Sequence, residues 1–281
     1  MGATGRVGSA VADLLVKTGL PVRALTHRSE AATKLPAGVD CVVGDLTAPE
    51  SLDAALDGVG AVFLVWTAPP DTAAEVVERL ARVPRIVFLS APFRTPHPFF
   101  QQPNPMATMF AEIETLLASS AVELTVIRPG MFASNALSWW APTIRAGRAV
   151  RWTYGEAQTA PVDEQDVAAV GVRALLSDGL VGGDYVLTGP EALSQAEQVR
   201  IIGDVLGRVV PFVDLPPEEF REEMAAWPPQ ALNMLLGAWG ATMDVPALVT
   251  TTVTDILGVP ARSFREWVSD NAMEFGSATA P

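Results

Sequence analysis

Three glycines at fixed spacing open the chain and restrict its fold more than any other feature. They stand at positions 2, 5 and 8, in the pattern G-x-x-G-x-x-G within the segment GATGRVG. In doubly wound α/β proteins such a turn leaves the end of the first β-strand and holds a cofactor pyrophosphate at the N-terminus of the following helix. We therefore expect a dinucleotide cofactor to contact Gly2, Thr4, Gly5, Arg6, Val7 and Gly8.

The residues that follow the turn strengthen this interpretation. Val7, Val11 and Leu14 recur at helical spacing, and Gly19 stands where a left-handed helix cap belongs. The segment PVRALT at 21–26 is typical of a second strand. The alternative is a glycine-rich turn that binds no ligand, since this motif alone is weak support for a nucleotide site.

The strand that should precede the glycine turn is not in the sequence, because only Met1 stands before Gly2. The first strand of a doubly wound sheet is central, and its loss would leave two neighbouring strands without ladder partners. We therefore expect a truncated first strand here and a natural start about five to ten apolar-rich residues upstream.

Strand-like apolar runs alternate with helix-like segments through the first half of the chain. The strand-like runs lie at 41–43, 61–66, 85–90 and 124–128, and the helix-like segments lie at 52–56, 72–82 and 108–119. The runs AVFLVW and RIVFLS are apolar throughout, which is typical of strands buried on both faces. The pattern predicts an α/β fold, a Rossmann-type doubly wound parallel sheet with a smaller, mainly helical C-terminal substrate-binding part.

The pattern loosens after Pro129 and Gly130, where prolines and tryptophans become frequent. We place an NAD(P)-binding Rossmann domain at 1–130 and a C-terminal substrate-binding region at 131–281. Within the second region, residues 162–189 again carry a helix and a strand, and we expect them to return to the Rossmann core.

Several polar and acidic residues of the second region are placed where helices begin, and we expect them to have structural roles. Asp163 and Asp166 are typical of acids that cap and stabilise a helix N-terminus, which we prefer to a catalytic role. Ser194 and Glu197 have the spacing of a capping box, and Gly207 is placed to end that helix.

Charge and composition exclude several classes of function. A net charge of −13 argues against a nucleic-acid surface, which needs clustered Lys and Arg. His27 and His97 are the only histidines and Cys41 is the only cysteine, so we expect no metal site. Cys41 lies in an apolar run and is typical of a buried thiol in a reducing compartment. No run approaches the roughly 18 apolar residues of a membrane span, so we expect a cytoplasmic protein that binds no membrane.

Several segments together resemble the NmrA-like group of atypical short-chain dehydrogenases, which includes quinone reductase-type proteins. They are GATGRVG at 2–8, VRALTHR at 22–28, GDL at 44–46, ExxLxxS at 114–120, IRPGMF at 127–132, VDEQDVA at 162–168 and YVLTGPEALS at 185–194. The resemblance implies an NAD(P)-binding fold and a small-molecule substrate, and it leaves a homodimer open.

Basic residues at the end of the second strand favour NADP(H) over NAD(H). An NAD site usually holds the ribose 2′-hydroxyl with Asp or Glu at this place, whereas this sequence has His27 and Arg28. Arg28, Arg6 and His27 can donate charge-assisted hydrogen bonds to a 2′-phosphate, which a carboxylate would repel. The family often has Arg where His27 stands, so the main phosphate contact stays open. The alternative for Arg28 is a solvated loop charge.

The resemblance also implies cofactor contacts after the later strands, where ligands of parallel sheets collect. The expected residues are Asp45 and Leu46 at the adenine, Trp66 and Thr67 at the ribose, Ser90 after the fifth strand, and Pro129 and Phe132 at the nicotinamide.

The catalytic residues stay unassigned. Typical short-chain dehydrogenases use a Tyr-x-x-x-Lys pair to move a proton beside the hydride transfer. Counting back from Glu114, the corresponding positions are near Met106 and Phe110, and neither side chain can transfer a proton. Tyr154 and Tyr185 lie elsewhere in the sequence. Ser90 could bond a substrate carbonyl, although a strand-end serine is more often structural.

These observations favour an NAD(P)H-dependent oxidoreductase that reduces a small apolar quinone- or enone-like compound by hydride transfer. The alternative is a non-catalytic regulator that senses NADP(H). A third hypothesis, an isomerase or dehydratase, has weaker support. Six aromatic residues either wall a flat substrate pocket or form ordinary core: Trp66, Phe93, Phe132, Trp139, Trp140 and Trp152.

Overall fold

A computed structural model describes residues 1–276, and ten strands and twelve α-helices lie in that range. The strands are β1 Val22–Thr26, β2 Val39–Val43, β3 Ala61–Val65, β4 Arg85–Leu89, β5 Glu123–Pro129, β6 Val150–Thr153, β7 Gln158–Thr159, β8 Asp184–Leu187, β9 Leu193–Ser194 and β10 Phe212–Leu215. The helices are α1 Arg6–Lys17, α2 Asp53–Leu56, α3 Ala73–Leu80, α4 Pro105–Ser119, α5 Asn135–Trp139, α6 Ala141–Arg145, α7 Glu164–Leu176, α8 Gln195–Val205, α9 Pro217–Glu223, α10 Pro229–Gly240, α11 Thr252–Leu257 and α12 Phe264–Asp270.

The central sheet is parallel, as the apolar runs predict. Strands β3, β4, β5 and β8 are hydrogen-bonded in that order, and β1 pairs with β2 in a separate parallel ladder. Because β8 pairs with β5, the chain returns to this sheet within the first half of the second region.

Helices cover both faces of the sheet, so the fold is doubly wound. Side chains alternate along a strand, and those of Val62 and Leu64 pack in a buried cluster with residues of α3 and α4. The intervening Phe63 packs in another cluster, with residues of α1 and α7. The predicted Rossmann-type α/β class is therefore confirmed.

A large cavity separates the two ladders. It has a volume of about 840 Å³ and is lined by residues of both β1 and β3. At one end, the amino group of Met1 donates a 2.7 Å hydrogen bond to the carbonyl oxygen of Phe63. The cavity therefore lies beside the start of the glycine turn.

The C-terminal part is mainly helical and has its own core. Its buried cluster includes Trp140, Trp152, Trp239 and Trp267, each at most 2% exposed. Trp139 packs against the same cluster, and Trp66 is buried among residues of β3, α3 and α4. Core packing, and not a pocket wall, therefore accounts for these tryptophans.

Most of the predicted caps are present. The side chain of Asp163 accepts from the N–H of Gln165, and Ser194 forms the expected capping box with Glu197. Asp166 lies in the first turn of α7 as predicted, and its carboxylate also accepts a 2.7 Å hydrogen bond from the N–H of Arg262, which holds a distant segment. Burial raises the pKa of Asp166 to about 6.

Three further observations concern the thiol, the membrane span and the metal site that the sequence analysis considered. Cys41 is half-buried and not buried as expected, because no side chain of β2 is fully covered, and its sulfur lies 3.3 Å from the hydroxyl of Thr26. Within residues 1–276 no helix combines the length and apolarity that a membrane crossing requires. In the same range, no group of three His, Cys, Asp or Glu side chains could hold a metal ion.

Candidate cofactor and substrate site

The glycine turn begins with a residue that only glycine suits. Gly2 has φ of +71°, and a Cβ built there would lie 2.7 Å from Cβ of Val65 in β3. The N–H of Gly5 donates a 3.1 Å hydrogen bond to the carbonyl oxygen of Gly2, which closes the turn. The left-handed backbone and the close approach of β3 therefore both require glycine at position 2.

The other two glycines, Gly8 and Gly5, differ in the space that a Cβ atom would have. A Cβ on Gly8 would lie 2.1 Å from the carbonyl oxygen of Gly2, so α1 can pack against the turn only with glycine there. A Cβ on Gly5 would lie 3.4 Å from the same oxygen, which is an ordinary contact. The fold thus does not require glycine at position 5, whereas close approach of a ligand to the backbone does.

The N-terminus of α1 fits a pyrophosphate. Its N-cap is Gly5, which has no side chain to accept from the first N–H groups of the helix. Those groups and the helix dipole favour an anion at this end. The turn therefore offers backbone donors of the kind that bind a pyrophosphate.

The side chains of the residues between the glycines differ in their exposure to solvent. The side chain of Thr4 is exposed, and that of Arg6 is 55% exposed and lies 3.6 Å from the carboxylate of Glu164. Val7 is buried in the core cluster beside α7, so only its backbone faces the turn.

His27, which follows β1, is paired with an acid. Its Nδ1 lies 3.0 Å from Oδ2 of Asp45, and both side chains are partly exposed. The backbone N–H of Thr47, 2.8 Å from Oδ1, lowers the pKa of Asp45, and His27 adds to that effect. Arg28 is exposed beside the pair. The structure therefore brings together His27, Arg28 and Asp45, which come from the ends of two neighbouring strands.

Two of the expected adenine and ribose contacts are core residues. Leu46 and Trp66 are 3% and 5% exposed, and the indole N–H of Trp66 donates a 2.6 Å hydrogen bond to the carbonyl oxygen of Ala68. Thr67 is exposed at the carboxyl end of β3. The side chain of Thr67 is thus open to a ligand, whereas those of Leu46 and Trp66 are used in packing.

Ser90, which follows β4, is engaged by a buried charged network. Its hydroxyl donates a 2.5 Å hydrogen bond to Oε1 of Glu114 on α4. Arg128 on β5 donates 2.7 and 2.9 Å hydrogen bonds to the two oxygens of Glu114 and also binds Asp184 on β8. The network therefore ties α4 to three adjacent strands.

The charges in this network stabilise one another. Burial alone would lower the pKa of Arg128, but its hydrogen bonds to Glu114 and Asp184 raise it above its ordinary range. The guanidinium carbon also lies 5.1 Å from the ring centre of Phe93. Arg128 is thus a permanently charged structural tie.

A small cavity opens where β5 ends. Its volume of about 10 Å³ is roughly that of a single water molecule. The lining residues are His97, Phe99, Phe100, Gly130, Met131, Gln158, Thr159, Ala160, Thr188, Ala247 and Leu248. They combine apolar and aromatic walls with two hydroxyls and one amide, as small-molecule sites commonly do.

Two loops line this cavity, one containing His97 and the other containing Ala247 and Leu248. Nε2 of His97 lies 2.9 Å from the carbonyl oxygen of Pro246, which joins them. The hydroxyl of Thr188, just after β8, accepts a 2.8 Å hydrogen bond from the N–H of Thr250. The second loop is therefore tied both to the first loop and to the sheet.

The expected nicotinamide contacts, Pro129 and Phe132, flank two lining residues of this cavity in the sequence but do not line it themselves. Pro129 is buried as the last residue of β5. Phe132 pairs with Val162 through a backbone bridge and packs against the cluster that holds α1 and α7. Gly130 and Met131, between them, line the cavity directly.

Neither tyrosine lines this cavity, and neither do the two positions that correspond to the Tyr-x-x-x-Lys pair. Met106 is exposed on α4, and Phe110 on the same helix packs against Phe88. Tyr185 lies in β8 as expected, and Tyr154 follows β6 in the C-terminal part. Sequence reasoning missed His97, Gln158 and Thr188 as pocket residues, because no spacing in the chain links them.

Comparisons with known proteins agree with this geometry. The NAD(P)H-binding family model matches residues 2–178. A (4-alkanoyl-5-oxo-2,5-dihydrofuran-3-yl)methyl phosphate reductase of Streptomyces griseus is 39% identical over 284 residues, which cover 98% of this chain and 97% of that protein. An NAD(P)H azoreductase of Xenophilus azovorans is 32% identical, with 99% of each chain covered.

Solved structures share the fold. An NADPH-dependent quinone oxidoreductase of Escherichia coli, complexed with NADPH, has a TM-score of 0.79 at 23% identity and covers 96% of this chain and 98% of its own. A triphenylmethane reductase of Citrobacter has a TM-score of 0.79 at 19% identity and covers 97% and 98%. The chain therefore belongs to the NAD(P)H-binding family of oxidoreductases, and its resemblance to the NmrA-like atypical short-chain dehydrogenases is confirmed.

Proposed function

We propose that this protein is an NADPH-dependent reductase of small apolar compounds in which a double bond is conjugated with a carbonyl group, such as enones and quinones. The proposal rests on one observation, which is that the glycine turn and the small cavity lie at the same edge of the sheet. The glycine turn and the cavity at Gly130 and Met131 both lie beyond the carboxyl ends of parallel strands, where ligands of this fold bind. A cofactor on the turn and a substrate in the cavity would thus lie at one edge of the sheet.

The residues around β1 support NADPH over NADH. The segment Thr26-His27-Arg28 has no carboxylate where an NAD site usually has one. Arg28 is exposed and can donate two parallel hydrogen bonds to a 2′-phosphate. Asp45 holds Nδ1 of His27, which leaves Nε2 of that ring to face a ligand. We assign the 2′-phosphate to Arg28 and His27, and the pyrophosphate to the backbone of Gly2 to Gly8.

The pocket chemistry supports a flat apolar substrate. Phe99, Phe100, Met131 and Leu248 supply apolar walls, and the amide of Gln158 supplies a hydrogen-bond donor for a carbonyl oxygen. The named substrate of the Streptomyces griseus relative is a phosphate ester whose ring alkene is conjugated with carbonyl groups, which supports the conjugated carbonyl here but not the apolar character.

In the proposed reaction, the protein itself positions the substrate beside the nicotinamide. The bound nicotinamide would supply the hydride, and the pocket would orient the substrate. Conjugated carbonyl compounds can take the accompanying proton from water, so the lack of a proton-transferring side chain at Met106 and Phe110 does not prevent the reaction. The pocket must open for a substrate, since its present volume is that of a single water molecule.

A binding titration tests the cofactor assignment. We expect NADPH to bind more tightly than NADH, and Arg28→Ala to weaken NADPH binding about tenfold while leaving NADH binding unchanged. Arg200→Ala is the matched control, because Arg200 is an exposed arginine on α8. Equal loss of both cofactors, or tighter NADH binding in the original chain, would contradict the assignment.

A turnover screen tests the substrate class. The panel contains quinones, open-chain enones and dihydrofuranones with and without a phosphate group, each followed by NADPH oxidation. Reduction of at least one conjugated carbonyl is the expected result. A chain that distinguishes NADP⁺ from NADPH but reduces nothing in the panel would instead indicate the NADP(H)-sensing regulator.

A further inference from the structure

The side chain of Glu164, at the start of α7, contacts Arg6 of the glycine turn and has no role in the site described above. We propose that Glu164 takes up one proton when a cofactor phosphate binds at the turn and draws Arg6 away from it. Three observations carry this proposal: the burial of Glu164, its contact with Arg6 and the position of Arg6 on α1. The proton uptake rests on the proposed assignment of a cofactor phosphate to the glycine turn.

Glu164 is a buried acid with an unsatisfied oxygen atom. The residue is only 7% exposed, and its Oε2 atom has no hydrogen-bond partner. The indole of Trp267 on α12 lies near the carboxyl group, but its Nε1 atom also has no partner. A charged carboxylate is costly in such surroundings, and a bound proton removes the charge. Oε2 is therefore the atom that we expect to take the proton.

Arg6 supplies a positive charge to this carboxyl group. Its Nη1 atom lies 3.6 Å from Oε1 of Glu164, and its side chain is 55% exposed. This distance is longer than a hydrogen bond, so the attraction is mainly that between two charges. The exposed arginine can turn toward another anion, whereas the buried Glu164 cannot follow it. A ligand can thus separate this ion pair.

The position of Arg6 is where cofactor phosphates are expected. Arg6 is the first residue of α1 and directly follows Gly5, the N-cap. The N-terminus of a helix favours phosphate through its N–H groups and its dipole. Arginine also pairs readily with phosphate oxygens. A phosphate at the turn would therefore compete with Glu164 for the same guanidinium group and would bring further negative charge near the carboxyl group.

The other groups around Glu164 cannot replace the lost cation. Burial raises the pKa of Glu164 and the charge of Asp163 adds to the rise, whereas the backbone N–H of Glu164, Trp267 and Arg6 oppose it. Arg262 is already engaged, because its Nε atom lies 2.5 Å from Oδ2 of Asp163. Departure of Arg6 would thus raise the pKa of Glu164 further, and the acid would take a proton from water.

The resulting pH dependence of cofactor affinity has a defined sign. Below the pKa of Glu164 in the free chain, the acid is already neutral and has no effect on the affinity. Above it, binding must add a proton, so the affinity falls as pH rises until the bound form also loses its proton. Because this pKa is raised above its ordinary 4.5, the decrease begins at a pH above that value.

Calorimetry measures the proton directly. NADH and NADPH are titrated at pH 6, 7 and 8 into the full chain and its Glu164→Gln variant, in two buffers of different ionisation enthalpy. The Gln side chain keeps the shape of Glu164 but takes up no proton. Other titrating groups, such as the Met1 amine, Asp166 and the 2′-phosphate of NADPH, are present in both titrations, so the difference isolates Glu164. Glu112→Gln on the exposed face of α4 is the control.

We expect the original chain to take up about half a proton or more beyond the Glu164→Gln variant at one or more of these pH values. The variant should also bind NADH about tenfold more tightly than the original chain at pH 8, with the two affinities converging at lower pH. Equal proton uptake in the two chains would overturn the proposal. Weaker binding by the variant at every pH would also overturn it, because Glu164 would then hold Arg6 as a permanent anion.

Arg6→Gln keeps the uptake testable if Glu164→Gln does not fold. The side chain of Arg6 is more than half exposed, so its replacement spares the core. Without the guanidinium group, Glu164 should titrate at higher pH in the cofactor-free chain, and proton uptake on cofactor binding should decrease. Carbon-13 NMR of labelled glutamate carboxyl groups measures the first effect. An unchanged titration of Glu164 in this variant would overturn the role of the ion pair.

The two cofactors identify the phosphate and separate this inference from the proposed function. Uptake that depends on Glu164 with both cofactors assigns the pyrophosphate to Arg6, uptake with NADPH alone assigns the 2′-phosphate, and either result supports the proposal. Cofactor binding without this uptake contradicts the role of Glu164 and leaves the proposed function intact. Binding of neither cofactor contradicts the proposed cofactor site, and the proton uptake fails with it.

Discussion

The hydroxyl of Ser90 donates its proton to Glu114, with 2.5 Å between Oγ and Oε1, and both side chains are buried. Arg128 approaches the same hydroxyl oxygen at 3.4 Å as a donor. In this arrangement Ser90 has no proton to offer a substrate carbonyl. The residue at the end of β4 thus serves the network that joins α4 to the sheet.

Replacing Ser90 should therefore affect stability more than turnover. We expect Ser90→Ala to lower the free energy of unfolding by about 1 kcal/mol and to change kcat for a conjugated carbonyl substrate less than threefold. Chemical denaturation and steady-state kinetics measure the two effects, with Ser119→Ala on the exposed face of α4 as the control. A loss of about 100-fold or more in kcat would instead indicate that Ser90 acts on the substrate.

Glu114 should be one of the most sensitive side chains in the first half of the chain. Glu114→Ala would leave the buried Arg128 with Asp184 as its remaining carboxylate, and we expect a loss of about 3 kcal/mol in unfolding free energy. Glu112→Ala on the same helix is the control, because that side chain is exposed. Similar Tm values for the two variants would contradict the structural role of the network.

The glycine turn allows binding and folding to be tested separately. Gly8→Ala should destabilise the fold by more than about 2 kcal/mol, since its Cβ would lie 2.1 Å from the carbonyl oxygen of Gly2. Gly5→Ala should cost about 1 kcal/mol or less and yet weaken NADPH binding at least tenfold, because the new methyl group faces the expected phosphate.

Gly60→Ala is the control for both glycine variants, because a Cβ there meets open space. Thermal unfolding and NADPH titration are the two measurements. Unchanged NADPH affinity in Gly5→Ala would place the pyrophosphate elsewhere, and an undisturbed Gly8→Ala would contradict the packing of α1 against the turn.

The buried amino group of Met1 predicts a pH dependence of stability. Its pKa falls from an ordinary 8.0 to about 6 in the folded chain, because of burial. Between these values the unfolded chain holds a proton that the folded chain lacks, so stability rises from pH 6 to pH 8 and is lost as pH falls. The full effect is up to about 3 kcal/mol.

Selective acetylation of Met1 should abolish that dependence. Asp166, whose raised pKa of about 6 makes stability fall as pH rises from its ordinary 3.8, contributes equally to both forms and cancels in the comparison. Unfolding by urea at pH 6, 7 and 8 measures the difference. Parallel curves for the acetylated and free chains would show that the amine does not titrate on unfolding.

Much of the fold could be predicted because it depends on local patterns. The apolar runs at 61–66 and 85–90 became β3 and β4, each within one residue of its predicted end, since a strand buried on both faces must be apolar throughout. The capping box at Ser194 and Glu197 was also predictable, because its partners lie only three residues apart. The glycine turn was predictable for the same reason, because its three glycines lie within seven consecutive residues.

The substrate pocket could not be predicted because tertiary contacts alone assemble it. His97, Met131, Gln158, Thr188 and Leu248 come from five separate segments, and no periodicity connects them. For the same reason the sequence did not reveal that Asp45 would hold His27, nor that Glu114 would hold Ser90. Each of these pairs joins residues that are distant in the sequence.

The tryptophans of the C-terminal core have an optical consequence. Five of the six pairs among Trp139, Trp140, Trp152 and Trp239 have ring centres 5.7 to 5.9 Å apart, which is close enough for their electronic transitions to couple. Trp66 is the single tryptophan among residues 1–130. Circular dichroism of the coupled indoles therefore reports the C-terminal core, whereas the emission of a chain that retains only Trp66 would report the nucleotide-binding half, so the two halves can be followed separately as the molecule unfolds.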